Sequence, residues 1–425
     1  MRYLIINGQK REIPKFPHHK DYIYRCNRFF EVKSLFSFLT INGYFSTIKE
    51  LRRNSRHKCA VPRDLLIDPT SSCNLKCKGC WAADYSKGSN IPYEKLDEIL
   101  GDAQKLGIKD IMMSGGEPLM RKEEILMLAG KYRKMTFGAF TNGTLIDEEF
   151  ADGMVKIGNL NVFISIEGYK EETDFRRGEG TYDKVIKAMN ILKERDHGFG
   201  FSICYHSKNY KTICSDEFLD FLREKGAWFG WLFNYMPIGS DADVSLCCTA
   251  EQRAYVMRKI DDYSKRNKFT LIDFANSGHK ALGCVAAGND FAHINASGDL
   301  EPCAFCHYSD TNILDKRLID ALKSPFFKKF RAAKPFSGNY LTPCPMMDNP
   351  ESLVEVTNMA GVKSTHMFHP ESSEELAAKT RSIAGMWRPV ATKIFAEMPK
   401  SEKRRFGILH ALLRTGNYYK NNQEL

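Results

Sequence analysis

Between residues 65 and about 265, short apolar and β-branched runs alternate with stretches whose apolar positions recur at helical spacing. "LLIDPT" is followed by a helical pattern over 91–106, "DIMMSG" by one over 123–133, and "TFGAFTNG" by one over 147–157. "NVFISIEG" then precedes 181–195, "FGFSICYH" precedes 215–225, and "WFGWLFNYM" precedes 249–265. Short apolar runs separated by longer helical patterns read as βαβ units on a parallel sheet. Six consecutive units predict an α/β domain, a partial (β/α)6 TIM-like barrel, with its chemistry in the loops at the C-terminal strand ends. No internal repeat or low-complexity tract interrupts the pattern. The expected organisation is a segment 1–62, a barrel over 63–268, a smaller domain over 269–350 and a helical tail over 351–425.

A chain of 425 residues with 43% hydrophobic content can bury the core that a barrel and an added domain require. No apolar run reaches eighteen residues, and "MRYLIINGQKREIPKF" lacks the pattern of a secretory signal, so a cytoplasmic protein is expected. In that compartment thirteen cysteines point to metal ligands or core packing rather than to a disulfide framework. The net charge of +10 is concentrated at the start, where residues 1–60 carry thirteen Lys/Arg against four Asp/Glu. There an apolar, aromatic run, "LFSFLTINGYF", precedes a basic cluster at Arg52, Arg53, Arg56 and Lys58. Such a segment suits peripheral association with an anionic membrane or an acidic partner; the alternative is a packed helix with a solvated basic end. Nucleic acid is not expected, because no binding motif accompanies the charge.

"CNLKCKGCW", residues 73–81, places three cysteines within eight positions after the first strand. A tetrahedral zinc or a closed iron–sulfur cluster takes four ligands. Three thiolates would hold three irons of a four-iron cubane and leave the fourth to a ligand that is not protein; the alternative is a zinc knuckle with a distant fourth ligand. The spacing of Cys73, Cys77 and Cys80, with "SGGEPL" ending the next strand, resembles the radical S-adenosylmethionine (radical SAM) superfamily. In that family the fourth iron is chelated by the amino and carboxylate groups of the cofactor's methionine. The resemblance implies S-adenosyl-L-methionine and a [4Fe-4S] cluster here, with Cys73, Cys77 and Cys80 as metal ligands. It implies that Gly115 and Gly116 let backbone approach the ligand and that Glu117 meets the methionine ammonium. Asn142 in "TNGT", and Ser165 and Glu167 in "SIEG", would stand near the ribose and methionine. Arg177 in "DFRRGEGTYDKV" resembles an arginine that pairs with the cofactor carboxylate, with Arg176 left to solvent. One departure is that an aromatic residue often found between the second and third cysteines is replaced by Lys78 and Gly79; Trp81 supplies that surface instead or belongs to the core.

A second group, in "GCVAAGNDFAHINASGDLEPCAFCHYSDTNI" and "TPCPMMDNP", resembles the SPASM/twitch-like auxiliary-cluster extension of radical enzymes that mature peptides and proteins. The complete extension carries about seven cysteines for two four-iron clusters. Only Cys284, Cys303, Cys306 and Cys344 are present here, so the resemblance implies one auxiliary [4Fe-4S] cluster in residues 269–350. His307 or substrate is the alternative to Cys306, and a structural zinc is the alternative to the cluster. Cys26, Cys59, Cys204 and Cys214 are expected in the core. Cys247 and Cys248, after the sixth strand, are candidate hydrogen-atom donors. Asp273 and His293 are candidates for proton transfer or hydrogen-bonded structural groups.

The implied activity is an oxidoreductase's. Reductive cleavage of S-adenosylmethionine gives a 5′-deoxyadenosyl radical, which abstracts hydrogen from an unactivated C–H bond. A reductant such as flavodoxin or ferredoxin is the implied partner. The auxiliary group favours maturation of a peptide or protein substrate by oxidation or cross-linking, although sixty residues are short for a separate peptide-capturing domain. Radical modification or C–C coupling of a membrane lipid chain is the alternative, and a noncatalytic metal-cluster binding protein is the alternative of another class.

Overall fold

The computed structural model describes residues 3–6, 9–12, 50, 52–85, 88–281, 283–288 and 290–400. The apolar run 35–45, Cys26 and the last part of the tail, 401–425, lie outside the described residues. Arg53, from the basic cluster, donates to the Val61 carbonyl at 2.7 Å, so this residue packs back on the domain, while Arg52, Arg56 and Lys58 are exposed. No helix among the described residues is long and apolar enough to cross a membrane.

A short hairpin pairs β1 (Tyr3–Ile6) with β2 (Gln9–Glu12). All six expected strands follow: β3 (Asp64–Thr70), β4 (Asp110–Gly115), β5 (Thr136–Thr141), β6 (Leu160–Ser165), β7 (Phe199–Tyr205) and β8 (Ala227–Asn234). They lie side by side in chain order, all parallel. Two further parallel strands flank them, β9 (Thr270–Asp273) beside β8 and β10 (Phe291–Ile294) beside β3, and β11 (Leu300–Glu301) adds an antiparallel edge. The sheet therefore ends at β9 and β11 without closing, and it runs on past residue 268. Strands of two to four residues carry too little periodicity to be seen in the sequence.

The apolar run of each strand reflects burial on both faces, as a parallel sheet demands. Leu65, Ile67, Ile111, Met113, Phe137, Val162, Ile164 and Ile203 alternate outward under the helices, each at most 1% exposed. The helix after β3, α1 (Tyr93–Leu106), buries Leu96, Ile99, Leu100 and Ala103 on one face and stops at Gly107, whose φ of +79° suits glycine. The alternate positions point inward. On the β6–β9 side Phe163, Phe229, Trp231 and Ile272 fill the interior, and Gly200 gives them room: a Cβ there would lie 2.5 Å from the Phe229 ring. The β3–β5 side is left hollow.

Four helices follow among the described residues: α2 (Leu318–Leu322), α3 (Pro325–Ala332), α4 (Pro350–Thr357) and α5 (Ser373–Glu397), so the tail is helical as expected over its described part. Between α4 and α5, β13 (Lys363–Ser364) pairs with β12 (Tyr308–Ser309). One buried cation joins this region to the barrel. Arg253 pairs with Asp348 at 2.7 Å, donates to Asn276 at 2.8 Å and lies 4.2 Å over the Trp387 ring of α5. Asp348→Ala leaves that guanidinium buried without its counter-charge and is expected to lower stability by about 3–5 kcal/mol, measured by urea unfolding.

Candidate active site

The cysteine loop, residues 71–80, leaves the C-terminal end of β3 and is tied to three neighbouring elements. Gly116 N–H donates to Thr70 O at 3.0 Å and Glu117 N–H to Ser72 O at 2.8 Å, so the end of β4 lies directly against it. A Cβ on Gly116 would stand 2.2 Å from Ser72 O, and one on Gly115, at φ +110°, 2.4 Å from Thr70 O. The close backbone approach that these glycines permit is thus to the cysteine loop itself. Asn74 donates to Thr144 Oγ1 and accepts from Asn142 Nδ2, both at 2.8 Å, which ties the loop to the end of β5. Lys78 N–H donates to Arg176 O at 2.8 Å. Gly79, at φ +59°, has Tyr235 Oη where a Cβ would stand at 2.3 Å, so no side chain fits there and Tyr235 brings its ring to the loop.

Two buried carboxylates stand behind the loop. Glu117 accepts from Leu119 N at 3.0 Å, Thr141 Oγ1 at 2.7 Å and Asn142 N at 2.7 Å. Burial pushes its pKa up against those donors. Glu167 is 0% exposed and takes Arg176 at 2.7 Å, Arg177 at 2.6 Å and the Cys204 N–H at 2.9 Å. Burial alone would raise its pKa, but the two guanidiniums, Arg177 first, hold it below the ordinary 4.5. Arg176 is not left to solvent, as the sequence suggested; the charge of Glu167 draws it to 5% exposure.

The loop and Glu117 open on a cavity of about 870 Å³. Cys73, Cys77, Cys80, Trp81, Gly115, Gly116, Glu117, Asn142, Ser165 and Arg177 all line it, whereas Glu167 stands behind its arginines. The Cys73 thiol is pushed up to about 11, chiefly by burial and then by Glu117 and the other two thiols, which are near enough to act on it. Two buried polar atoms on residues of this wall have no partner, Arg176 Nε and Asn234 Oδ1. Three clustered thiols with unsatisfied polar atoms beside them fit a cluster-bound cofactor with polar groups. Among the described residues no three His, Cys, Asp or Glu side chains converge on the position of one metal ion; a cubane of four irons is wider than one ion, and its thiolates stand correspondingly further apart.

Cys204, expected in the core, lines the cavity at the end of β7, and burial raises its thiol to about 11. Cys247 and Cys248 lie within electrostatic reach of Cys204 but not on the cavity wall. Cys59 and Cys214 are buried, as expected. Trp81 lines the cavity and packs edge-on to His293 and Phe305. His293 sits in a fully buried relay that the sequence did not reveal. Its Nε2 is 3.0 Å from Asp68, its Nδ1 is 2.6 Å from Glu301, and Asp68 accepts from Ser114 at 2.6 Å. Burial would lower the imidazole pKa, but Asp68 and Glu301 raise it to about 10. Asp273 accepts from Asn276 at 2.7 Å and Tyr205 at 3.2 Å.

The second cysteine group converges as well. Cys284, Cys303, Cys306 and Cys344 all line one small cavity of about 60 Å³, whose other walls are largely apolar. A tight turn, with Cys306 N–H donating to Cys303 O at 2.9 Å, presents two of them. Burial raises the Cys303 thiol to about 12 and pushes those of Cys306 and Cys344 well above the ordinary thiol range. His307 is held elsewhere: its Nε2–H donates to Ala304 O at 2.7 Å, and its Nδ1 faces His366 Nε2. Cys303, Phe305, Val285 and Met236 belong to the walls of both cavities, so the two sites adjoin.

Residues 67–219 match the model of the Radical SAM superfamily. The chain is 32% identical over 149 residues to an Fe-coproporphyrin III synthase of Methanosarcina barkeri, covering 34% of this chain and 37% of that one. The match thus spans little more than a third of that relative's length. It is 25% identical over 297 residues to a PqqA peptide cyclase of Granulibacter bethesdensis, covering 65% and 74%. Among solved structures, SuiB of Streptococcus suis bound to its precursor peptide SuiA has the same fold: TM-score 0.60, 19% identity, 79% of this chain and 81% of that one.

A carboxyl whose folded pKa is depressed stabilises the fold above its unfolded pKa, and that contribution is lost as pH falls through the folded value. Glu167→Gln is therefore expected to cost about 3–5 kcal/mol at neutral pH, because both guanidiniums stay buried. The difference from the unmodified protein narrows below about pH 4, and urea unfolding at a series of pH values measures both effects.

Proposed function

We propose, from the Radical SAM superfamily domain that residues 67–219 form, that this protein is an enzyme that reductively cleaves S-adenosylmethionine and abstracts hydrogen from an unactivated C–H bond. The observation that carries the reading is the convergence of Cys73, Cys77, Cys80 and Glu117 with the unpartnered Arg176 Nε on one cavity wall. Cys73, Cys77 and Cys80 would hold a [4Fe-4S] cluster that, with S-adenosylmethionine on its fourth iron, supplies a 5′-deoxyadenosyl radical when reduced. The chain's own residues do the rest. Glu117 offers carboxyl oxygens to an ammonium group, and Arg176 offers an N–H to a carboxylate. Trp81, Tyr235 and Phe305 line the cavity and would shield a bound substrate from water.

The four thiols of the adjoining cavity support one auxiliary [4Fe-4S] cluster that takes up or relays an electron. A flavodoxin or ferredoxin would be the electron donor. Two substrate classes are in play. Likeness to SuiB and to the PqqA peptide cyclase supports a peptide, and the apolar lining of the cavity favours a hydrocarbon chain.

Anaerobic reconstitution is expected to load about eight irons, from two four-iron clusters. Cys73, Cys77 and Cys80 replaced together by Ala should leave about four, with no binding of S-adenosylmethionine by equilibrium dialysis. About twelve irons in the unmodified protein would overturn the single auxiliary cluster, and an unchanged iron count in the triple variant would overturn the assignment of the loop.

A further inference from the structure

We propose that the 870 Å³ cavity continues below the cysteine loop as a channel for a hydrocarbon chain, running along the barrel to the opposite ends of its strands. The inference rests on the reading above, since it names the substrate class of that site. Its wall has members at every level of the strands. Ser114, Ser202 and Cys204 stand toward the cysteine loop, while Asp64, Asp110 and Phe291 begin their strands at the far end. The three at the far end are neighbours in register, Asp64 beside both Asp110 and Phe291. The seven residues of β3 make the channel about 20 Å long.

Parallel barrels ordinarily fill this space with side chains. Here Met112, Phe140, Phe233, Phe274 and Phe291 point inward yet remain partly exposed, because a void stands in front of them. Leu66, beside Met112 in register, continues the apolar surface, and Gly138, the next in register, adds no side chain to it.

The wall chemistry discriminates between the two substrate classes. An extended peptide carries an N–H and a C=O at nearly every residue, and each is costly to bury unpaired. The strands cannot supply the partners, since their own backbone groups pair across the parallel ladder. The side chains between the two ends are mostly hydrocarbon and aromatic. A methylene chain needs no partners and gains affinity with each group buried. The carboxylates of Asp64 and Asp110 mark where the apolar surface ends, and with it the length of chain that the channel takes.

The test is isothermal titration of the full, reconstituted protein with saturated fatty acids from octanoate to icosanoate, each below its micelle concentration. Affinity should rise by about fourfold per added methylene and level off once the tail spans about 20 Å. In Met112→Trp, which narrows the channel midway, levelling should come at shorter chains; Leu66→Phe does the same if the first variant fails to fold by circular dichroism. Affinity independent of chain length overturns the channel, as does tight binding of an apolar peptide while the fatty acids stay flat. S-adenosylmethionine binding by the same preparation separates the two readings. Cofactor binding with a flat series overturns the channel alone. A rising series without cofactor binding supports the channel and removes the reading on which it was built.

Discussion

The carboxylate of Glu167, buried at the end of β6, is the charge on which the upper face of the barrel depends. A carboxylate with no exposure to water must be paired and hydrogen-bonded to stay ionised. Here the pairing fixes Arg176 and Arg177, the N–H of Cys204 at the end of β7, and, through Arg176 O, the Lys78 amide of the cysteine loop. Its own backbone is held too, the N–H by Thr173 Oγ1 at 3.1 Å and the C=O by Asn209 at 2.9 Å. One buried charge therefore sets where the guanidiniums, one cavity thiol and the middle of the thiol loop stand with respect to one another.

The same economy of buried charge operates at the open seam of the sheet. β3 meets β10 there, far apart in sequence, and the Asp68–His293–Glu301 relay crosses β3, β10 and β11 inside the barrel. Tyr85, Asn295 and Thr365 donate to Glu301 as well, so the relay also holds the segment after Cys80 and the segment before α5. Trp81 packs against His293 of this relay and against Phe305, which lines both cavities.

Much of this was legible in the sequence because it is local. Strand-then-helix periodicity marked β3 to β8, and the spacing of Cys73, Cys77 and Cys80 needed only eight positions. The resemblance to the auxiliary-cluster extension also singled out the four later cysteines, which do line one cavity. What escaped depends on partners far apart. Asp68 and His293 are separated by more than half the chain, and neither belongs to a motif. Arg176 and Arg177 are identical in type, so only the position of Glu167 reveals that both are buried. Cys204 sits in an apolar run that would serve equally for a core strand, and its inward direction follows from the register of β7. The hollow on the β3–β5 side was invisible, since apolar residues facing a void and apolar residues facing each other read alike.

The central claim is that the cysteine loop holds a cluster with one iron open to S-adenosylmethionine. The most direct measurement is 5′-deoxyadenosine formed by the anaerobically reconstituted, dithionite-reduced protein with S-adenosylmethionine and no added substrate. The account predicts 5′-deoxyadenosine and methionine in equal amounts, dependent on reductant. A fully iron-loaded, reduced protein that leaves S-adenosylmethionine intact would contradict it and would favour a metal-cluster protein without this catalysis.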